Sequence, residues 1–264
     1  MDGRKVFSLM ITDTIKKNRF IHFFTNSFLF GNKIKVKGQK NNVFNRRTGL
    51  SLKSRIRING TSNSVDFSGV FKFTNSEIFI KGHHNKITFG KNVNINDAQV
   101  WVIGENNHLF IGKDCIINNT EFGLQGVENA IKLNDKVYVG GFVWLDGKPN
   151  KTERIRIYTS EGKKIEFGTG TVLSEGVAIR SSDSHPIFDS NDNRTNLARD
   201  ITVGEKVWIC TESVLLKGAK IGNNSIVAYR SLVTKDFSEH NNVVLGGSPA
   251  KIINTEIDWD VNEC

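Results

Sequence analysis

Residues 82–89 read Gly82-His-His-Asn85-Lys-Ile87-Thr-Phe89, and the motif that opens this stretch, Gly-x-x-Asn-x-apolar, occurs five times at one constant spacing. The five copies begin at Gly38, Gly60, Gly82, Gly104 and Gly126. A fixed period in this range is typical of solenoids, in which each copy forms one turn of a coil. Apolar residues alternate with polar ones in three short runs per copy, which predicts three half-buried strands per turn.

The asparagine of each copy is predicted to stack on its counterparts at one corner of the coil. The row comprises Asn41, Asn63, Asn85, Asn107 and Asn129. Asparagine tolerates the left-handed backbone conformation and can hydrogen-bond its neighbours in such a ladder. We therefore expect these residues to adopt that conformation, and we interpret the row as structural.

The second half of the chain changes period, because apolar residues recur there at every sixth position. They are Val203, Ile209, Leu215, Ile221, Val227 and Val233. Three sides of six residues each make a turn slightly shorter than the repeat unit of the first half. Both halves therefore fit one continuous all-β, three-sided parallel solenoid. The spacing is interrupted around Lys148 to Glu161 and again by the polar segment 181–200. Long polar insertions in regular scaffolds are where function tends to be placed.

Charge is distributed unevenly along the chain. Residues 1–60 contain 14 Lys or Arg against only Asp2 and Asp13, whereas the remainder contains 22 basic and 25 acidic residues. This asymmetry favours an anionic partner such as an acidic polysaccharide, a membrane surface or a nucleic acid. A basic face that is merely solvated would have the same composition.

The most apolar stretch, Phe20–Phe30, is too short to span a membrane and too polar to serve as a signal-peptide core. It predicts a short N-terminal helix that caps the solenoid or touches a membrane interface. We therefore expect a cytoplasmic protein, with peripheral contact at the inner membrane as one role of the basic N-terminus. The three cysteines, Cys115, Cys210 and Cys264, are far apart, which argues against disulfides and a zinc site.

The second half resembles the hexapeptide-repeat acyltransferases, and within them the O-acetyltransferases of bacterial capsule and lipopolysaccharide gene clusters, including polysialic acid O-acetyltransferases. The segments that carry the resemblance read Arg180-Ser-Ser-Asp-Ser-His185-Pro186, Ile201-Thr-Val-Gly-Glu-Lys-Val-Trp208-Ile209 and Gly246-Gly-Ser-Pro-Ala-Lys251. The resemblance implies a left-handed coil, a homotrimer, acetyl-CoA as donor and a sugar hydroxyl as acceptor. It leaves no role for a nucleic acid partner.

With this resemblance, four segments are expected along the chain. They are an N-terminal helical and basic segment (1–30), the longer repeat turns (31–146), the hexapeptide-repeat acetyltransferase solenoid with a protruding loop at 181–200 (147–252), and a C-terminal tail (253–264).

The resemblance also implies roles for individual residues in acetyl transfer. His185 would take the proton of the sugar hydroxyl as it attacks the thioester, without an acyl-enzyme. Trp208 would lie at the active site against the acceptor or the oxyanion, unless it only packs against the insertion. Asp183 would orient His185 or hydrogen-bond the turn. Cys210 is expected to belong to the core, and no metal is required.

For the donor, the resemblance places the coenzyme between neighbouring subunits near the C-terminal turns. Backbone amides near Ala228 would hold the pantetheine, and Lys235 and Lys251 would meet the pantetheine or nucleotide end. Tyr229 and Arg230 are bulkier than the family's usual residues at this turn. They would stack on adenine and pair with phosphate, or else narrow the groove.

Three other functions fit parts of the sequence. A right-handed β-helix lyase or hydrolase would need clustered carboxylates at the corners, where this chain has Asn, Lys and Gly. A non-catalytic solenoid could bind a polyanion through the basic N-terminal quarter. An N-acetyltransferase acting on a nucleotide-linked amino sugar would share the fold and differ only in its acceptor pocket.

Overall fold

The computed structural model describes residues 29–30, 32–44, 50–140 and 153–260, and within these ranges it contains strands and turns but no helix. The strands up to Val139 are β1 (Leu29–Phe30), β2 (Lys33–Lys37), β3 (Asn42–Phe44), β4 (Leu50–Leu52), β5 (Arg55–Thr61), β6 (Ser64–Asp66), β7 (Val70–Thr74), β8 (Glu77–His83), β9 (Lys86–Phe89), β10 (Val93–Glu105), β11 (His108–Ile111), β12 (Ile116–Val127), β13 (Ala130–Leu133) and β14 (Tyr138–Val139).

The strands of the second half are shorter, as the six-residue period predicts. They are β15 (Ile155–Ser160), β16 (Lys164–Phe167), β17 (Val172–Leu173), β18 (Ala178–Arg180), β19 (Ile201–Val203), β20 (Trp208–Ile209), β21 (Val214–Leu216), β22 (Lys220–Ile221), β23 (Ile226–Val227), β24 (Leu232–Val233), β25 (Asp236–Phe237), β26 (Val244–Gly247) and β27 (Ala250–Asn254).

The strands form three parallel ladders, which are the three sides of the solenoid. Side 1 is the nine-stranded sheet β3-β6-β9-β11-β13-β16-β19-β22-β25. Side 2 runs through β1, β4, β7, β10, β12, β14, β17, β20, β23 and β26, and side 3 through β2, β5, β8, β10, β12, β15, β18, β21 and β24. The long strands β10 and β12 bend at Asp97 and Asn119, which have positive φ, and so belong to both sides. The predicted three strands per turn are confirmed.

The pairing register reproduces both periods read from the sequence. Gly104 pairs with Gly126, its counterpart in the next long unit, and Val203 pairs with Ile221, three six-residue sides later. The alternating apolar residues point to the axis, where those of one side stack turn upon turn. Phe122 and Phe167 are among the largest fully buried side chains of this core. Its continuous burial of apolar surface is the main stabilising term for a scaffold of such short strands.

The asparagine ladder is present and fully hydrogen-bonded. The Nδ2 of Asn85 donates to Asn63 Oδ1 at 3.0 Å and to the carbonyl of Gly104 at 2.7 Å, and its Oδ1 accepts from Asn107. The expectation that the asparagines are left-handed is wrong. The positive φ belongs to the glycine three positions earlier and to the residue immediately before each asparagine, as in Gly82 and His84. The asparagine stabilises the corner through the hydrogen bonds of its side chain, and its backbone does not take the left-handed conformation.

The two interruptions differ in outcome. Residues 141–152 lie outside the described residues, and Ile155–Ser160 form strand β15 on side 3, so the first insertion precedes Ile155 and does not extend to Glu161. Segment 181–200 lies between β18 and β19 as a largely exposed loop, as predicted.

The predicted N-terminal helix lies outside the described residues, apart from Leu29–Phe30, which form a strand. The hand of the coil stays a prediction from the resemblance.

The C-terminal segment returns along the solenoid. Strand β27 pairs antiparallel with β26, and residues 255–260 then follow the corner between sides 1 and 2. The described residues contain no helix long and apolar enough to span a membrane.

Candidate active site

The loop at 181–200 is closed at its base by Ser181, which is fully buried. The carbonyl of Ser181 accepts the backbone N–H of Arg199 at 3.0 Å, so the two ends of the loop meet. Its hydroxyl lies 3.0 Å from that of Thr159 on the preceding turn. These bonds fasten the loop to the corner between sides 3 and 1, immediately after β18.

Asn196 fixes the backbone immediately after His185 and also bonds the Asp183 side chain before it. Its Nδ2 donates to the carbonyl of His185 at 2.7 Å and to Asp183 Oδ2 at 2.9 Å. Its Oδ1 accepts the N–H of Ile187 at 2.7 Å. Asn196 is only 7% exposed, so the amide is a buried and saturated hub. Nothing in the sequence distinguished it from the other asparagines of the loop.

Asp183 and Lys217 join the loop to the next turn. The Lys217 ammonium donates to Asp183 and, at 3.1 Å, to the carbonyl of Asn196. The hydrogen bond from Lys217, with a further one from Asn196, lowers the pKa of the Asp183 carboxyl. The Asp183 carboxylate thus bonds the side chains of Lys217 and Asn196. Among the described contacts Asp183 makes none to the imidazole of His185.

A second ion pair holds the distal part of the loop. Arg194 contacts Glu161 at 2.7 Å, and Ser182 donates its hydroxyl to the same carboxylate. Both bonds lower the pKa of Glu161, and the bond from Arg194 has the larger effect. Glu161 lies on the preceding turn, so the loop is clamped from the turn before it and from the turn after it.

His185 is exposed at the surface of this braced loop. Of the three histidines that the sequence assigned to the corners, His84 lies in one, while His83 ends β8 and His108 begins β11. His83 Nδ1 is 2.6 Å from the hydroxyl of Thr61, and burial, with a smaller effect of Lys86, lowers the pKa of His108. Of these residues, only His185 combines exposure with a backbone held by surrounding polar side chains.

Trp208 lies on side 2, on strand β20, with 38% of its surface exposed. Its Nε1 donates to Ser174 Oγ at 3.1 Å, and its ring lies 5.9 Å from that of Trp259, centroid to centroid. Trp259 is held in turn by a 3.0 Å bond from its Nε1 to the carbonyl of Lys206. Sequence reasoning missed Trp259, whose position in the C-terminal segment gave no signal.

One chain does not bring His185 and Trp208 together. His185 leaves the corner between sides 3 and 1, whereas Trp208 points outward from side 2, and within the described residues no hydrogen bond or ring contact joins them.

The predicted coenzyme residues are spread over the C-terminal turns. Tyr229 and Arg230 are exposed at the corner after β23, where the Arg230 guanidinium pairs with Glu212 and lies 4.9 Å from the Tyr229 ring centroid. Lys235 is exposed at the next corner, and Lys251 on β27. The N–H of Ala228 is not available for pantetheine, because it donates to the carbonyl of Leu245 at 2.8 Å.

Cys115 belongs to the buried core, whereas Cys210, which was expected there, is only half-buried. Burial raises the pKa of Cys115 and of Cys210 to about 11, which keeps both thiols protonated and weakly nucleophilic at neutral pH. Within the described residues no group of three or more His, Cys, Asp or Glu is placed to hold a metal ion.

Sequence comparison finds acetyltransferases similar to part of this chain, and solved structures of polysialic acid O-acetyltransferases share its β-solenoid fold. Polysialic acid O-acetyltransferases are prominent in that group. The enzyme of Escherichia coli O1:K1 is 32% identical over 96 residues, covering 36% of this chain and 31% of the relative. A chloramphenicol acetyltransferase of Morganella morganii is 41% identical over 68 residues, covering 26% and 31%. The aligned segment thus spans less than a third of these curated relatives.

The polysialic acid-specific acetyltransferase NeuO shares the fold over most of both chains. Its crystal structure superposes with a TM-score of 0.59 at 22% identity, covering 90% of this chain and 88% of that one. No model of a protein family matches the sequence.

Proposed function

We propose that this protein transfers an acetyl group from acetyl-CoA to a hydroxyl of a bacterial surface-polysaccharide sugar, with His185 as the general base. The observation that carries this proposal is the exposed His185 on a loop whose backbone Asn196 holds at the carbonyl of His185 itself. A base must keep its nitrogen within hydrogen-bond reach of the attacking hydroxyl, and a braced loop meets that requirement.

In the proposed reaction the sugar hydroxyl attacks the thioester carbonyl while its proton passes to His185. Collapse of the tetrahedral intermediate breaks the carbon–sulfur bond and releases the thiolate of coenzyme A, which takes the proton from His185 and leaves as the thiol. No covalent acyl-enzyme is needed, and the high pKa of Cys210 agrees with this route because that thiol is a poor nucleophile at neutral pH.

The active site is proposed to form between subunits of a homotrimer, because His185 and Trp208 point away from different parts of one chain. Side 2 supports a subunit contact there, since its outward row is mainly apolar around Trp208. In register this row comprises Ile116, Tyr138, Val172, Trp208, Ile226 and Val244. Trp208 would then face the His185 loop of the neighbouring subunit.

For the donor, the corner that bears Tyr229 and Arg230 is proposed to receive the nucleotide end of acetyl-CoA, with Lys235 and Lys251 nearby on the following elements. Arg230 is engaged with Glu212, so phosphate binding there requires exchange of one anionic partner for another. We further propose that the protein acts in the cytoplasm, where acetyl-CoA is available.

The test is release of free coenzyme A from acetyl-CoA in the presence of capsular oligosaccharides, with product acetylation followed by mass spectrometry. We expect His185→Ala to lower turnover by about 10²–10⁴-fold, the usual contribution of a general base, while His240→Ala, a change of an exposed histidine elsewhere, leaves it unaltered. Acetylation at an unchanged rate by His185→Ala would refute the base assignment. No transfer to any glycan hydroxyl by the wild-type protein would refute the function.

A further inference from the structure

The outward face of side 3 carries an excess of positive charge that the other two sides lack. Its outward-facing strand positions contain eight basic residues within the described part of the chain, Lys33, Lys35, Lys37, Arg55, Arg57, Lys81, Arg156 and Arg180. The same strands present three carboxylates, Glu77, Glu105 and Glu121, and Glu77 pairs with Arg55 and Arg57. The basic residues of the N-terminal quarter that the structure describes in β2 and β5 therefore share one side with residues from later turns.

The other two sides show that this excess is local. On side 1 the outward lysines are largely matched by carboxylates, as in Lys132–Glu166 and Lys220–Asp236, both at 2.6 Å. The described outward positions of side 2 are mainly apolar. An even scatter of solubilising charge would not produce this difference between sides.

Aromatic rings lie in a row along the middle of the same face. The register places Arg57, Phe79, Trp101, Gly123, Tyr158 and Arg180 one above the other on successive turns. The Phe79 and Trp101 rings are 5.4 Å apart, and the guanidinium groups of Arg57 and Arg180 lie 5.1 Å and 4.9 Å from the Phe79 and Tyr158 rings. An arginine therefore stacks at each end of the aromatic row.

Gly123 has a role of its own in this row. A Cβ at Gly123 would lie 2.5 Å from Cδ1 of Tyr158, so only glycine lets the Tyr158 ring cover the position next to Trp101. The row is thus an apolar strip with cationic flanks. Sugar rings offer apolar C–H faces to aromatic side chains, and their carboxylates pair with arginine, so an acidic glycan matches both features.

We propose that side 3 is a docking track for an acidic polysaccharide chain, which runs along the aromatic row and enters the catalytic loop at Arg180. The inference rests on the proposed function, because that function makes the Arg180 end of the track the catalytic end. Arg180 immediately precedes loop 181–200, which carries His185. From β2 to β18 the track crosses seven strands, roughly 29 Å at about 4.8 Å per turn. It therefore selects a polymer over a short acceptor, since only a long chain can contact the whole row.

The test is direct binding of acidic glycans to the full chain without acetyl-CoA, by isothermal titration at low and moderate salt. The ligands are long polysialic acid, hyaluronan, a sialic acid trimer and neutral dextran. We expect both acidic polymers to bind, the trimer to bind at least about tenfold more weakly, and dextran not to bind. Binding of the polymers should weaken with added salt.

The variants are Arg57→Gln combined with Arg180→Gln, and separately Trp101→Ala. Each is expected to weaken polymer binding about tenfold through lost charge pairing or stacking. The matched control, Lys86→Gln combined with Lys164→Gln, removes two positive charges from side 1 and should bind as the wild type does. Circular dichroism checks folding, and Trp101→Phe replaces Trp101→Ala if the latter unfolds, with a smaller expected loss.

Equal weakening by the side 1 control would overturn the track, as would unchanged binding by both side 3 variants. Tighter binding of single-stranded RNA or of anionic lipid vesicles than of either glycan would assign the face to another partner and also overturn it. A change of oligomeric state in the side 3 variants without any glycan binding would make the face a subunit contact. Glycan binding without acetyl transfer would refute only the proposed function. Acetyl transfer without glycan binding along side 3 would refute only the docking track.

Discussion

The side chain of Asn196 donates a 2.7 Å hydrogen bond to the backbone carbonyl of His185, 11 residues earlier in the chain. This bond and the one that Asn196 accepts from Ile187 hold the two consecutive peptide units that follow the proposed base. The histidine itself stays exposed. The loop is therefore rigid where it supports the ring and open where the ring must meet an acceptor.

Asn196→Ala is expected to lower kcat about 10²-fold while leaving the unfolding temperature of the solenoid nearly unchanged. A misplacement of about 1 Å at a catalytic group can cost that much, and the loop lies outside the axial core. Acetyl-transfer kinetics and thermal unfolding measure the two effects. Asn193→Ala is the control, because Asn193 bonds only with Asp189 near the loop tip. Equal losses in the two variants would contradict a specific role for Asn196.

The solenoid was predictable from sequence because each turn repeats the same local requirements. Gly82 and Asn85 recur in every long unit since the corner needs a positive φ and a stacking amide at fixed places. The second positive φ of the corner was wrongly assigned to the asparagine, because asparagine tolerates that conformation. It belongs to the preceding residue, as in His84. The bracing of His185 could not be predicted in the same way. Lys217 and Asn196 are 21 residues apart and meet only after the loop has closed.

The Asp183–Lys217 pair is expected to make closure of the loop depend on pH at the acidic end. The folded-state pKa of Asp183 is lowered from 3.8 by hydrogen bonds from Lys217 and Asn196. The contribution of the pair is therefore complete above the unfolded value and is lost as the pH falls through the lowered one. Carbon-13 NMR titration of the Asp183 carboxyl group should show this lowered midpoint in the wild-type protein.

Lys217→Met should raise the Asp183 midpoint toward its ordinary range, because the largest stabilising bond to the carboxylate is gone. Lys164→Met, which removes an exposed lysine on side 1, should leave the midpoint in place. A wild-type midpoint at or above the ordinary value would show that Lys217 does not hold the carboxylate in solution.

Trp259→Ala is expected to lower kcat/KM by about 2- to 10-fold, the range that corresponds to loss of one aromatic pair. The reason is that Trp259 covers Trp208 at a centroid distance of 5.9 Å and limits the orientations of its ring. Trp259→Phe keeps a ring contact but loses the bond to Lys206, so it should retain most of the activity. Steady-state kinetics measure both variants. A Trp259→Phe variant as impaired as Trp259→Ala would assign the effect to the Lys206 bond.

Gly104→Ala is expected to destabilise the solenoid far more than the same change at Gly170. At Gly104 the backbone has a φ of 121°, and a Cβ would lie 2.0 Å from the carbonyl oxygen of Gly126. The neighbouring turn would have to move, and the Asn85 bond to the Gly104 carbonyl would be strained with it. At Gly170 the φ is 72° and a Cβ would meet no atom within 4 Å.

The two changes therefore separate the clash from the backbone penalty. Gly170→Ala should cost roughly 1–2 kcal/mol, the usual penalty for a left-handed residue other than glycine. Gly104→Ala should cost at least about 3 kcal/mol, since steric conflict with fixed backbone adds to a more strained φ. Urea unfolding followed by circular dichroism gives both free energies of unfolding. Equal losses would mean that the turns can separate locally, so that the stacked glycines do not set the spacing of the coil.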